Sequence, residues 1–211
     1  MTDNEMEFIK EIFSGDSRGH DFYHTLRVYK MAEEIAGQEN ADVSIVRLAA
    51  LLHDVDDVKL SPETHAAKKN AVDFMTANRI DNKVIDAVCK IIDEVSFAGK
   101  DSVVPSTIEG KCVQDADRLD AMGAIGIARA FAYGGSRGRK IYDPEIKPQT
   151  EMSKEEYRKN QNSTSINHFY EKLLLLKDMM NTNTGKAMAE HRQAVMQEFL
   201  DEFMEEWDGK K

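Results

Sequence analysis

The sequence predicts an all-α protein, on three observations. Apolar residues recur at i, i+3, i+4 and i+7 in one segment after another. No strand pattern stands out between those segments. Only 4 prolines interrupt 211 residues, and a hydrophobic content of 41% is enough for a substantial core. With no internal repeat and no low-complexity stretch, the chain reads as a single helical domain over 1–211.

The elements follow in order. Phe8, Ile9, Ile12 and Phe13 place a short helix around Met6 to Phe13, ended by Ser14-Gly15-Asp16. A second helix is expected from about Phe22 to Ala36, with His24 in its first turns and Asp21 as its cap. A third, from about Ser44, runs through Leu48-Ala49-Ala50-Leu51-Leu52 into His53-Asp54-Val55-Asp56-Asp57. Ser61-Pro62-Glu63 reads as a helix start with proline at the first position, continuing to Asn78. Asn82 to Val95 is the fifth helix, and Ser96 to Lys111, with Gly99, Pro105 and Gly110, is a loop.

The segment Val113-Gln114-Asp115-Ala116-Asp117-Arg118-Leu119-Asp120 opens a helix expected to run on to Tyr133. The connection from Gly134 to Ser165 carries the chain's one concentrated basic patch, Arg137-Gly138-Arg139-Lys140, and its length suggests a mobile lid over an anionic ligand. Two C-terminal helices, Ile166 to Met180 and about Lys186 to Trp207, complete the chain. The apolar stripe of the last one serves equally to close the core or to pair two copies as a homodimer.

A net charge of -10 argues against a nucleic acid polymer or an anionic membrane as the main partner, since both need a basic surface. The acidic N-terminus, Met1-Thr2-Asp3-Asn4-Glu5, is no leader, and no run of about 18 apolar residues is present, so a cytoplasmic protein is expected. Cys89 and Cys112 sit among aliphatic residues without ligand or CxxC spacing and read as buried free thiols.

The chemistry concentrates where the third helix ends. Val46, Ala49 and Ala50 share a face with His53, which turns the imidazole inward beside three carboxylates. A buried charge cluster needs a partner, and a cation is the usual one. On that stretch alone, a satisfied core histidine at a solvated helix end is the favoured reading, and the metal case rests on the rest of the chain. His24, His53, Asp54 and Asp117 stand on three helices and form a mixed nitrogen and oxygen set suited to a six-coordinate divalent metal with two open positions. Manganese suits the oxygen-rich set best, and iron, cobalt, nickel, zinc or magnesium are admissible.

This order, His24, then His53-Asp54 closing an apolar helix, then Asp117 in Ala-Asp-Arg-Leu-Asp-Ala, resembles the H…HD…D signature of the HD-domain superfamily of metal-dependent phosphohydrolases. The context Asp21-Phe22-Tyr23-His24-Thr25-Leu26-Arg27-Val28 strengthens it, and the likeness covers about residues 18 to 133. The later Asn167-His168-Phe169-Tyr170-Glu171-Lys172-Leu173 suggests a small stand-alone bacterial branch. That branch implies hydrolysis of nucleoside or deoxynucleoside triphosphates to a monophosphate and pyrophosphate.

The resemblance makes His24, His53, Asp54 and Asp117 the metal ligands. Asp57, one turn beyond Asp54, stands where related nucleotidases carry the carboxylate that orients or deprotonates water. Asp120 could hold a ligand histidine or Arg27. Phosphate donors are drawn from Arg18, His20, His65, Arg118, His168, Lys172 and the lid residues Arg137, Arg139 and Lys140. With Ser96-Phe97 where dinuclear relatives have a further histidine, one metal is expected, and cyclic-nucleotide phosphodiesterase chemistry is disfavoured. A nucleoside 5'-monophosphatase on the same site and a non-catalytic nucleotide sensor are the competing readings.

Overall fold

The computed structural model describes residues 1–13, 22–58, 61–95, 103–149 and 163–211. Among them are nine α-helices and no strand. The chain forms two compact units, one built on Met1–Ser96 with Val103–Ala116, the other on Asp117–Lys211.

In the first unit, α1 spans Asp3–Ile12, three residues earlier than the apolar pattern suggests. Its start is set by a capping box: Thr2 Oγ1 accepts from the Glu5 amide at 3.3 Å, and the Thr2 amide donates to Glu5 Oε2 at 2.6 Å. Helix α2 runs Phe22–Gln38; the expected Asp21 cap lies outside the described residues. Asp42 caps α3, Val43–Leu52, by accepting from the amides of Ser44 and Ile45, and the helix ends with His53 as its C-cap. Ile9, Ile35, Leu51, Leu52, Met75 and Ile91 are fully buried here, each contributing about 1.5 to 3 kcal/mol by leaving water.

The proline-first helix expected at Ser61 does not form. Residues 62–64 are a turn and His65–Ala67 a single 3-10 turn; Lys68 then adopts the left-handed conformation, φ 48°, and only at Lys69 does α4, Lys69–Ala77, begin. Helix α5, Asn82–Val95, packs on both α3 and α4.

Helix α6, Ile108–Asp120, starts inside the stretch expected to be loop, because Thr107 Oγ1 accepts from the Gly110 amide at 3.1 Å and supplies the missing start. Gly110 is no breaker. A Cβ there would stand 2.8 Å from that of Pro105, so the glycine allows a close approach inside a helix.

The second unit corrects the single helix expected over 113–133. Helix α6 stops at Asp120, Met122 is extended, and α7, Gly123–Ser136, begins on a glycine at φ +67° that a side chain would strain. The expected helix from Ile166 to Met180 is also shorter: α8 covers Ser165–Glu171, and two 3-10 turns, Leu173–Leu175 and Lys177–Met179, follow it. The last helix, α9, spans Asn183–Trp207 and packs on α7. Phe131, Phe169 and Phe199 bring α7, α8 and α9 together, with ring centroids 5.7 to 6.0 Å apart.

The connection read as a lid is anchored where it is described. The amides of Ser165 and Ile166 donate to the carbonyls of Lys140 and Ile141, both at 3.0 Å. The Asn167 side chain donates to Ile146 O at 2.8 Å, and the Gln149 amide to Glu171 Oε1 at 3.1 Å. Residues 137–149 therefore form an arm tied to α8, because each pass of the chain satisfies backbone groups that a free lid would leave to water. Residues 150–162 lie outside the described residues. Among the described residues, no helix is long and apolar enough to cross a membrane.

Candidate metal centre

The core face of α3 determines where the site begins. Val46, Ala49 and Ala50 are wholly buried, so the next residue in register, His53, is drawn inward at the helix end and keeps only 8% of its surface. His24 is set the same way by Val28 on α2 and is 1% exposed, while its neighbour Tyr23 projects outward. The two imidazole rings lie 5.4 Å apart at 63°.

Oδ2 of Asp54 stands 3.3 Å from Nε2 of His24 and 3.3 Å from Nε2 of His53. The boundary between the units falls inside the uninterrupted helix α6, which carries Asp117 as its next residue. Adjacent ligands bound about 2.1 Å from a common ion stand about 3.0 Å apart, so the two 3.3 Å separations suit Asp54, His24 and His53 to one divalent cation. His53 Nδ1 is 2.9 Å from the carbonyl of Ala50. A carbonyl only accepts, so Nδ1 carries a proton, which leaves Nε2 as the nitrogen that can ligate a cation.

The turn that follows carries the other carboxylates. The Asp57 amide donates to Asp54 O at 3.0 Å, and both side chains are partly exposed. Asp56 is buried, at 4%, and both its oxygens accept from α4: Oδ1 from the Asn70 amide at 3.1 Å, Oδ2 from the Ala71 amide at 3.0 Å. Exposed His65 donates from Nδ1 to Asp56 O at 2.8 Å. Half-buried Arg27 lies three residues beyond His24 on α2.

The remaining residues singled out in the sequence belong to the second unit or lie outside the described residues, as Arg18 and His20 do. Arg118 was expected to meet phosphate; it is buried and donates to the carbonyl of Met179. Asp120, expected to hold a ligand histidine or Arg27, is buried and forms an ion pair with Arg129. Both guanidinium groups of the basic patch lie over the Tyr133 ring, Arg137 at 5.5 Å and Arg139 at 5.7 Å, and Lys140 pairs with Asp143 at 2.7 Å. Lys172 is near enough to His168 to act on it electrostatically, as is Arg139. Desolvation first, then those two charges, push the His168 imidazole down from 6.5 to about 3.

Asn70 was absent from the sequence reading. Its side chain donates to Val55 O at 3.0 Å and to Thr64 Oγ1 at 3.2 Å, tying the turn after the His-Asp pair to the start of α4. No local pattern points to it, because its partners stand 15 and 6 residues away.

Comparison with known proteins adds to this geometry. The family model of the HD domain matches residues 21–122. The chain is 38% identical to YpgQ of Bacillus subtilis over 204 residues, covering 96% of this chain and 91% of that one. It is similar to the crystal structure of an HD-superfamily hydrolase from Bacillus thuringiensis, with a TM-score of 0.76 and 45% identity over 97% of this chain and 95% of that one. The B. subtilis YpgQ structure in complex with ADP matches with a TM-score of 0.76 and 36% identity over 96% and 97% of the two chains.

Proposed function

The chain belongs to the HD-domain superfamily of hydrolases, and from that premise we propose that it is a metal-dependent phosphohydrolase acting on nucleotides. The reaction assigned to it is hydrolysis of a nucleoside or deoxynucleoside triphosphate to a monophosphate and pyrophosphate. The observation that carries the reading is the single carboxylate oxygen of Asp54 set 3.3 Å from each of two buried imidazole nitrogens. That a relative was solved with ADP supports a nucleotide ligand.

His24, His53, Asp54 and Asp117 would hold one divalent ion, manganese by the mixed imidazole and carboxylate character of the set. The chemistry such an ion would supply when bound is polarisation of a phosphoryl oxygen and a lowered pKa for a water. The protein does the rest. Ala50 holds the Nδ1 side of His53, so Nε2 is the nitrogen turned to the metal. Asp57, on the turn just after Asp54, takes a proton from the attacking water. The water oxygen bonds to the α-phosphorus, the bond from that phosphorus to the α,β-bridging oxygen breaks, and pyrophosphate leaves. Arg27 and His65 are the proposed phosphate contacts described in the first unit, Arg27 three residues beyond His24 and His65 donating to Asp56 O.

The test is to strip the protein of metal, restore manganese, and follow nucleoside tri- and monophosphates by phosphorus NMR beside Asp54→Ala. Pyrophosphate with a monophosphate, lost in the variant, supports the reading. Free phosphate from monophosphates moves the protein to the nucleotidases. No turnover with any divalent metal, together with nucleotide binding by calorimetry, leaves a sensor.

A further inference from the structure

The start of α4 lacks its own cap. Lys68 occupies the N-cap position, supplies no side-chain oxygen to the helix, and instead sends its ammonium to Asp93 on α5 at 2.7 Å. The amides that a cap would satisfy are those of the second and third helical residues, Asn70 and Ala71. Both are bound by the two oxygens of Asp56, a residue twelve positions before the cap, at 3.1 and 3.0 Å. A buried carboxylate at a helix start also meets the positive end of the helix dipole. Asn70 answers in the other direction, donating to Val55 O, and His65 donates to Asp56 O.

Four hydrogen bonds thus converge on two consecutive residues, Val55 and Asp56. That pair stands between Asp54, which faces both imidazoles, and Asp57. We propose that Asp56 and Asn70 form a positioning clamp that holds the turn bearing Asp54 and Asp57 in the geometry metal binding requires, neither of them touching the metal. The clamp rests on the metal reading given above and deepens it. Without it, the backbone from 54 to 57 would keep α3 and the contacts of His65 to Asp56 O and Ser61 to Asp57 O but lose its tie to the start of α4, and Asp54 could swing away from the histidines.

The test compares Mn²⁺ affinity, read by electron paramagnetic resonance of free manganese, in the wild-type protein, Asp56→Ala, Asp56→Asn and Asp42→Ala. Asp42→Ala removes the cap at the far end of α3, where Asp42 accepts from Ser44 at 2.9 Å, and so serves as a loss of helix capping alone. The expected result is a fall of about 10- to 100-fold for Asp56→Ala, a smaller fall for Asp56→Asn, which keeps one acceptor, and wild-type affinity for Asp42→Ala. Asp56→Asn carries the comparison if the alanine variant does not fold. Unchanged affinity in a folded Asp56 variant, or an equal fall in Asp42→Ala, would overturn the clamp alone. Failure of the wild-type protein to bind manganese or any other divalent ion would overturn the metal reading, and the clamp with it.

Discussion

The Nδ1–H of His53 donates to the carbonyl of Ala50, three residues back on α3, over 2.9 Å. The helix thereby chooses the imidazole tautomer before any ligand arrives, and it does so with a backbone group that no side-chain substitution can remove. His53→Gln keeps a polar side chain of similar reach but cannot satisfy Ala50 and present a nitrogen lone pair to the centre together. Manganese at 100 times its dissociation constant should stabilise the wild-type protein by about 2.7 kcal/mol, which for a chain of this size is a rise in Tm of about 5 to 10 °C. In His53→Gln that rise should be absent. Differential scanning calorimetry with and without the ion reads both, and an equal rise in the variant would remove His53 from the ligand set.

Two glycines should respond to alanine with opposite signs. Gly37 lies near the end of α2 with nothing within 4 Å of where a Cβ would stand, so Gly37→Ala should stabilise by about 0.5 to 1 kcal/mol through reduced freedom of the unfolded chain. Gly126 lies in the first turn of α7, where a Cβ would meet the carbonyl oxygen of Ala121 at 2.3 Å and its carbon at 2.5 Å. Backbone on that side cannot rotate away, and Gly126→Ala should cost about 2 to 4 kcal/mol. Urea unfolding of the two variants beside wild type checks the pair.

What the sequence disclosed was what depends on near neighbours. His24, His53 and Asp54 could be placed because helical register alone turns the histidines inward, and register needs only four or seven residues of context. The break between α6 and α7 was hidden: Gly123 is one glycine among twelve, and its left-handed φ follows from where α7 must go. The anchoring of residues 137–149 was hidden for a related reason, since backbone amides of α8 hold it and backbone carries no sequence signature. Asp56 was visible as a carboxylate among carboxylates. Its separate task, capping a helix that starts at Lys69, depends on partners 14 and 15 residues away.

Cys112 is fully buried in α6, and burial first, then the charge of Asp115, pushes its thiol up to about 12. Cys89 on α5 is raised as well, again chiefly by burial, but keeps part of its surface. Since the thiolate is the reactive form, a disulfide reagent at pH 8 should label Cys89 slowly and Cys112 only when the first unit opens. Mass spectrometry of the labelled peptides separates the two. Urea that unfolds the protein should bring both to the same rate, and rapid native labelling of Cys112 would show the α6 packing to be wrong.

His168 provides a dependence of stability on pH. Its imidazole titrates at about 3 in the folded protein against 6.5 ordinarily, because protein crowds the ring and Lys172 and Arg139 oppose a further positive charge. Between those values the unfolded chain binds a proton that the folded chain refuses, so stability rises with pH across the interval. The contribution is whole above pH 6.5 and drains away as pH falls toward 3. By pH 5 the loss amounts to about 2 kcal/mol from this one group. His168→Gln should remove that share: the drop in unfolding free energy from pH 7 to pH 5 should be about 2 kcal/mol smaller in the variant than in wild type, whatever the carboxylates add to both. The proton resonances of the His168 ring should stay those of a neutral imidazole down to pH 5. A ring that titrates near 6.5 would place His168 in open solvent, away from Lys172 and Arg139.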